Sequence, residues 1–319
     1  SFLYFQRNDI TDESWYYAQV EFPHGGPAFK NTFTGGQIAG AGDFKKRLIS
    51  MAPGAMYTGG GVELNNVALD KLYNIKCVET VDFIGYSAAH KAYIFNDIAV
   101  AGGRIYPIND EDYFEIDKTS IKSLSQSVTL KTGTASKYNA TWTQDLWASQ
   151  GAKGFTALVF WFGCLFAEQL RAEQESFPFL ELIGEPGAGK SVLIEFLWHL
   201  LGRSNYEGFD PSKSTAAARS RNMSQVANLP VVMLEGDRGD ETAHAKHMDW
   251  DELKTAYNGR ASRSSGMKTS GNETYEPPFR GAIVISQNAE VQASEAVLQR
   301  TVQLKFDRSH HNADTKAAA

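Results

Sequence analysis

Apolar residues are distributed differently in the two parts of the chain. Up to about residue 140 they form short stretches between glycine-rich and polar turns, which indicates strands and turns. Trp15–Phe22 is aromatic and β-branched and is predicted to be a strand, whereas Phe44–Ile49 is predicted to be helical. Three further short strands are predicted over Thr80–Tyr86, Lys91–Phe95 and Asp97–Val100. This pattern indicates a smaller β-rich α+β domain over residues 1–150.

Beyond residue 150, apolar runs of strand length alternate with helical segments. Strands are predicted over Phe177–Ile183, Val231–Leu234 and Arg280–Ser286, and a further apolar stretch follows at Ala296–Phe306. Helices are predicted over Ser191–Leu201, Thr215–Val226 and Trp250–Tyr257. Strands that alternate with helices and carry polar residues at their C-terminal ends indicate an open parallel sheet with a ligand along that edge. The second domain, residues 151–319, is therefore predicted to be α/β.

The segment between the first of these strands and its helix is Gly184–Ser191, with the sequence GEPGAGKS. Its spacing is that of a phosphate-binding loop, in which glycines let backbone N–H groups converge on phosphate oxygens. Pro186 stiffens the turn. Lys190 is expected to reach the β- and γ-phosphates, and the Ser191 hydroxyl is expected to hold Mg²⁺. The predicted nucleoside-triphosphate site comprises Gly184, Glu185, Pro186, Gly187, Ala188, Gly189, Lys190 and Ser191.

Two carboxylates follow the second predicted strand of this domain. Glu235 and Asp237 come directly after Val231–Leu234, about 45 residues beyond Lys190. A hydrophobic strand that ends in acidic residues is typical of an element that holds hydrated Mg²⁺ and orients the attacking water. Because Gly236 separates the two acids, the sequence leaves open which of them has which role. The alternative is an acidic surface turn after a core strand.

Two polar side chains near the end of the chain are candidates for the same site. Asn288 lies just past the third predicted strand, where an amide can hydrogen-bond the γ-phosphate or the attacking water. Arg300 lies between two apolar segments of Ala296–Phe306. Its guanidinium is a candidate either to pair with a carboxylate of its own chain or to reach a phosphate across a subunit interface.

A basic stretch separates the second and third predicted strands of the α/β domain. No acidic residue occurs from Leu253 to Asn272, while Lys254, Arg260, Arg263 and Lys268 are basic. Glycines within the stretch mark bends, so a hairpin with a basic tip is predicted. Such a hairpin suits contact with a phosphate backbone, and the alternative is a solvated basic loop.

Composition narrows the possible partners and location. The net charge of −6 argues against a basic coat over the whole chain but allows a local basic patch. The two cysteines, Cys77 and Cys164, argue against a disulfide framework and for a reducing compartment. No basic-then-apolar leader opens the chain, and Phe155–Ala167 is shorter than the ~20 residues of a membrane-spanning helix. We therefore expect a cytoplasmic protein without a membrane partner, with Phe155–Ala167 as a buried helix.

Several segments together resemble the ATPase core of phage- and plasmid-type primase–helicases. These proteins belong to or lie near the superfamily 3 helicases, a branch of the AAA+ P-loop ATPases. The segments that carry the resemblance are GEPGAGKS, VVMLEGD, LKTAYNGRASR, FRGAIVISQN and VLQRTVQLKF. In the first domain, GQIAGAGDFKKRLISMAPGAMYTGGG and FIGYSAAHKAYIF look like the uncharacterised module that precedes the ATPase in some of these proteins.

The resemblance implies a three-layer AAA+-like ATPase domain and an ATP-dependent DNA helicase or translocase. It implies action in the replication of a phage, plasmid or other mobile element, in the cytoplasm of a bacterial cell or an infected host. ATP and Mg²⁺ are the implied cofactors. The implied partners are other copies of the chain in a hexameric ring, single-stranded or forked DNA, and a primase domain or protein.

The family's functional residues can be placed on matching positions of this sequence. The Walker A positions are Gly184, Gly189, Lys190 and Ser191. Glu235 matches the acidic end of the Walker B strand, where it is a catalytic and metal-binding candidate, and Asp237 is its partner. The remaining matches are Ser286 and Asn288 in the sensor motif, Arg260 and Arg263 before the DNA-facing hairpin, and Arg300 as a trans-acting arginine.

Two other classes of function remain open at the level of sequence. One is an ATP-binding oligomer that loads or anchors replication proteins and hydrolyses little ATP. The other is a P-loop kinase that phosphorylates a small molecule. The kinase interpretation requires a short lid over the acceptor, and the long insert from Asp240 to Phe279 fits it poorly.

Replacing Glu235 by glutamine tests which carboxylate acts as the base. We expect Glu235→Gln to retain ATP binding and to slow turnover by about 10²-fold or more, the scale of losing a general base. Asp237→Asn is the matched control, and it should slow turnover less. Steady-state ATPase rates measure both effects, and the reverse order would assign the role of base to Asp237.

Overall fold

The computed structural model describes residues 1–8, 13–133, 138–234, 248–261, 265–266 and 274–309. It is a mixed α/β structure with several sheets, one of them a four-stranded parallel sheet. Contacts divide the chain into a first unit, residues 1–82 and 98–124, and a second unit, residues 83–97 and 125–319. Residues 125–150 thus group with the second unit, and the domain boundary near residue 150 stays a prediction.

The elements are numbered in chain order. The strands are β1 (Phe2–Asn8), β2 (Glu13–Val20), β3 (Phe29–Phe33), β4 (Cys77–Val81), β5 (Ile84–Ser87), β6 (Ala92–Ile94), β7 (Ile98–Ala101), β8 (Arg104–Pro107), β9 (Phe114–Ile116), β10 (Thr119–Ser123), β11 (Phe179–Gly184), β12 (Val226–Ala227), β13 (Pro230–Leu234), β14 (Ser265–Gly266), β15 (Thr274–Tyr275), β16 (Ala282–Gln287) and β17 (Thr301–Phe306). The α-helices are α1 (Gly35–Ala39), α2 (Ala41–Met51), α3 (Gly61–Leu72), α4 (Trp142–Cys164), α5 (Ala167–Gln174), α6 (Lys190–Leu200), α7 (Ala216–Ser224) and α8 (Glu295–Leu298).

The first unit is built on a six-stranded mixed sheet with the order β3-β2-β1-β4-β10-β9. β4 pairs parallel with both β1 and β10, and the other neighbours are antiparallel. Buried Phe33, Ile38 and Leu48 join β3 to α1 and α2 in one apolar cluster. The strand predicted over Trp15–Phe22 and the helix predicted over Phe44–Ile49 correspond to β2 and α2.

The single strand predicted over Thr80–Tyr86 is two strands in the structure. β4 ends at Val81 in the first unit, and β5 begins at Ile84 in the second unit. β5 pairs parallel with β12 and antiparallel with β6. Gly85 has a φ of 119°, and a Cβ there would collide with the backbone carbonyl oxygen of Ala227. The glycine is therefore required for the close approach of β5 and β12.

The parallel sheet of the second unit has the strand order β13-β16-β11-β17. β11 is central, and its neighbours β16 and β17 both run parallel to it. Leu180 and Leu182 point into an apolar cluster with α6, whereas Phe179 belongs to a second cluster that includes Ile283 and Ile285. Because both faces of β11 are buried, its sequence is an almost continuous apolar run.

The helix predicted over Phe155–Ala167 is not fully buried. Residues 155–164 are the end of α4, which is broken at Gly151, residues 165–166 form a turn, and Ala167 begins α5. Trp161 is 1% exposed, but Val159 is 68% exposed and Phe162 is 51% exposed. The helix therefore buries one stripe and leaves apolar side chains on the opposite face. Among the helices in the described ranges, none has the length and apolar composition needed to cross a membrane.

The helix predicted over Trp250–Tyr257 consists of two 3₁₀ helices, Trp250–Leu253 and Ala256–Asn258, followed by Gly259 with a φ of 71°. The buried positions explain the type of helix. Trp250, Leu253 and Ala256 are each less than 5% exposed, and they recur every three residues. That spacing matches the three residues per turn of a 3₁₀ helix.

A buried arginine contacts the chain on both sides of the predicted basic hairpin. Arg171 on α5 is 8% exposed, and its guanidinium donates to the carbonyl oxygens of Tyr257 at 3.3 Å, Phe279 at 3.4 Å and Gly281 at 2.8 Å. Burial lowers the pKa of Arg171 to about 10, so the side chain remains charged at neutral pH. The arginine therefore holds the chain before and after the predicted hairpin at one place.

Replacing Arg171 by methionine should destabilise the second unit. The carbonyl groups that it contacts would lose their donor, and we expect a loss of about 1–3 kcal/mol in the free energy of unfolding. Chemical denaturation of the full chain measures the change. Arg104→Met, at an exposed position of β8, is the control and should change stability by less than about 0.5 kcal/mol. Equal stability of the two variants would contradict the clamping role.

Candidate phosphate-binding site

The loop between β11 and α6 has a backbone that requires glycine at several positions. A Cβ at Gly184 would collide with the carbonyl oxygen of Phe306, the last residue of the neighbouring strand β17. Gly187 and Gly189 have φ values of 81° and 86°, in the left-handed region that favours glycine. The glycines predicted to form a phosphate cradle are thus the residues that this backbone path demands.

Lys190 is the first residue of α6 and turns back across this loop. It is 8% exposed, and its Nζ donates to the carbonyl oxygens of Gly184 and of Glu185, the latter at 3.2 Å. A third contact, also 3.2 Å, joins Nζ to Oδ1 of Asn288. The positive end of the helix dipole and an ammonium group therefore meet at the loop, an arrangement that favours an anion.

Asn288 reaches this loop because β16 runs parallel to β11. Ile183 pairs with Gln287 at the carboxyl end of β16, so the next residue, Asn288, lies beside the start of the loop. Ser286 is one strand position earlier, 6% exposed, and pairs with Leu182 and Leu234. The structure brings Asn288 and Lys190 together, and their catalytic roles stay predictions.

The residues present fit a nucleoside triphosphate and allow a metal ion beside it. The loop carries three glycines, Lys190 supplies positive charge, and the exposed Ser191 carries a hydroxyl on the first turn of α6. Glu235 and Asp237 lie outside the described residues, directly after the end of β13. In the part of the chain that is described, no group of three or more His, Cys, Asp or Glu side chains is placed to hold a metal ion.

Arg300 lies directly before β17, at the end of the parallel sheet where the strands begin, whereas the phosphate loop lies where they end. Its guanidinium carbon lies over the Tyr257 ring, 5.0 Å from the centroid, and Nη1 donates to the carbonyl oxygen of Lys254 at 3.2 Å. Its own carbonyl oxygen accepts from Phe179 N–H at the start of β11. A strand of this length spans roughly 20 Å, so Arg300 is too far from the phosphate loop of its own chain to touch it. A contact with another subunit stays a prediction.

The predicted DNA-binding residues are only partly covered by the structure. Arg260 is exposed and follows the second 3₁₀ helix, whereas Arg263 and Lys268 lie outside the described residues. The short strands β14 and β15 pair antiparallel, as the predicted hairpin requires.

Sequence reasoning missed a second cation at the loop. Arg308 lies two residues beyond β17, and its Nη2 donates to the carbonyl oxygen of Pro186 at 2.6 Å. The preceding residue, Asp307, forms an ion pair with Lys153 at 3.0 Å. Hydrogen bonds from Ser309 and this ion pair lower the pKa of Asp307. The signal available in the sequence was the apolar stretch Ala296–Phe306, which ends just before Arg308. Its strand β17 runs parallel to β11, so the two strands end on the same side of the sheet.

Comparison with known proteins adds only distant similarities. No family model matches the chain, and no curated protein matches it. An apo structure of the NrS-1 C terminal region aligns at 10% identity with a TM-score of 0.40, over 95% of this chain and 58% of that chain. A structure of JCV Helicase aligns at 16% identity with a TM-score of 0.26, over 51% of this chain and 48% of that chain. The chain spans less than two thirds of either protein, and at these TM-scores the similarity supports no argument about function.

Lys190→Ala should abolish ATP hydrolysis and strongly weaken binding of a nucleoside triphosphate. The lysine acts on phosphate charge, so the variant should retain the fold. ATPase assays, calorimetric titration with a non-hydrolysable ATP analogue and thermal unfolding measure the three properties. The exposed Lys118→Ala is the control and should behave as the parent does. Near-parental hydrolysis by Lys190→Ala would contradict the assignment of the loop.

Proposed function

We propose that this chain is an ATP-dependent DNA helicase or translocase that acts in the replication of a phage, plasmid or other mobile element. The observation that carries the proposal is the buried Lys190 at the junction of a glycine-lined loop and a helix N-terminus, in contact with Asn288 just past the adjacent parallel strand β16. In this proposal the second unit is a three-layer, AAA+-like P-loop domain, and it is the part of the chain that hydrolyses ATP.

In this proposal, different residues of the chain have different roles in ATP hydrolysis. The loop Gly184–Ser191 binds the phosphates, and Lys190 holds the β- and γ-phosphates in place. Ser191 and Glu235 hold Mg²⁺, which, when bound, neutralises charge on the phosphates. Glu235 or Asp237 accepts a proton from the attacking water. Asn288 orients that water or the γ-phosphate, since it is already in contact with Lys190.

In this proposal, the basic stretch and assembly into a ring couple ATP hydrolysis to movement along DNA. Arg260, Arg263 and Lys268 contact the backbone of single-stranded or forked DNA. A homo-oligomeric ring, hexameric in this proposal, places Arg300 at the ATP site of a neighbouring subunit, because it cannot reach its own. The proposal includes a primase domain or protein as a partner and the cytoplasm as the location.

Neutralising Arg263 and Lys268 separates a translocase from the alternatives. We expect Arg263→Gln/Lys268→Gln to bind single-stranded DNA more weakly and to lower the log–log salt slope by about 0.7 for each lost phosphate contact. Basal ATPase activity should persist, because neither residue belongs to the phosphate loop. Stimulation by DNA should disappear. Arg104→Gln/Lys118→Gln, at exposed positions of the first unit, is the matched control and should retain stimulation.

The outcomes distinguish three classes of protein. Unchanged DNA affinity and salt slope in the double variant would leave the basic stretch as a solvated loop. ATP binding with little hydrolysis, and no stimulation by DNA in the parent protein, would favour a loader or scaffold. Phosphate transfer to a small molecule in place of water would favour a kinase.

A further inference from the structure

Glu181 is a carboxylate in the centre of the buried strand β11. It is 0% exposed, and its strand neighbours Leu180 and Leu182 are apolar and equally buried. A buried carboxylate loses favourable hydration unless hydrogen bonds compensate it. Its position therefore calls for a reason beyond packing, since an apolar residue would fill the same space at lower cost.

The Glu181 carboxylate accepts hydrogen bonds from three neutral donors. Oε1 accepts from Nε2 of Gln287 at 2.6 Å and from the backbone N–H of Val291 at 2.7 Å. Oε2 accepts from Nε2 of Gln303 at 2.9 Å. Hydrogen bonds to an ionised acceptor are shorter and stronger than those between neutral groups. The carboxylate thus connects β11 to β17 on one side and to the end of β16 on the other.

The donors to Oε1 lie at the two ends of a short turn. Gln287 is the last residue of β16, and Val291 is four positions later, so residues 288–290 form the turn between them. Asn288 is the first residue of this turn, and its Oδ1 lies 3.2 Å from Nζ of Lys190. A single oxygen atom of Glu181 therefore fixes both ends of the segment that carries Asn288.

We propose that Glu181 is a positioning residue that holds Asn288 against Lys190 by anchoring both ends of the turn 288–290. The proposal rests on the function proposed above, in which Asn288 and Lys190 act on the phosphate. β11 then serves the site twice, because its end supplies Gly184 and its centre supplies Glu181. Correct placement of an orienting group matters for the rate, since small displacements in an active site reduce turnover strongly.

Three substitutions to methionine test this role at equal side-chain length. Gln287→Met removes the donor next to Asn288. Gln303→Met removes a donor to the same carboxylate from β17, away from the turn, and is the matched control. Glu181→Met removes the acceptor and leaves an apolar residue of similar shape. If Glu181→Met does not fold, Gln287→Met carries the test.

We expect Gln287→Met to lower kcat for ATP by about 10-fold, with KM changed by less than about 2-fold, because orientation is lost and phosphate binding is kept. Gln303→Met should lower kcat by no more than about 2-fold. The double variant Gln287→Met/Asn288→Ala should be no slower than Asn288→Ala alone, since both changes act through one side chain. Equal loss in Gln287→Met and Gln303→Met, or additive losses in the double variant, would overturn the proposal.

Hydrogen exchange tests the anchor independently of catalysis. In Glu181→Met, amide exchange in a peptide covering residues 288–293 should accelerate about 10-fold or more, because the Val291 N–H loses its acceptor. The same peptide should exchange at the parental rate in Gln303→Met. Unchanged exchange in Glu181→Met would overturn the anchor. A parent protein without ATPase activity would overturn the proposed function, while hydrogen exchange would still decide whether Glu181 fixes the turn.

Discussion

Parallel pairing on both sides of β11 is the constraint on which the candidate site depends. The register places Gly184 beside Phe306 and Ile183 beside Gln287. The carboxyl ends of β11, β16 and β17 therefore lie next to one another. The phosphate loop, Asn288 and Arg308 meet there although they are far apart in the chain. The same register places Arg300 at the opposite, amino-terminal end of the strands, where it lies over a tyrosine ring of its own chain.

Buried charged groups in the second unit are held largely by neutral dipoles. Lys190 donates to two backbone carbonyls and an amide oxygen, and Arg171 donates to three carbonyls. Glu181 accepts from two side-chain amides and one backbone N–H. Arg171 and Glu181 thereby connect segments that are remote in sequence, whereas the backbone partners of Lys190 lie within its own loop. These hydrogen bonds fix the phosphate-loop region and the base of the basic stretch, and Arg171 also lies over the rings of Phe177 and Phe279.

The elements closest to the phosphate loop could be predicted from sequence, because the local sequence pattern there favours the same structure as the packing in the folded protein. A fully buried parallel strand reads as an apolar run, and the glycine spacing before Lys190 is demanded by the backbone path. Elsewhere the local sequence pattern and the folded structure differ. The run Thr80–Tyr86 is divided between two units, and Trp250–Tyr257 forms 3₁₀ turns because its buried side chains recur every three residues.

The sequence by itself indicated the α/β character of the second unit and the position of the glycine-rich loop, and it supplied the predicted roles of Lys190 and Asn288. These depend on local spacing, which the chain displays directly. Only the tertiary structure decided that Asn288 contacts Lys190, that Arg308 reaches Pro186 and that Glu181 anchors the turn beside Asn288. The individual contacts depend on strand order and register, and the sequence pattern indicates only that the ends of parallel strands lie at the same end of the sheet.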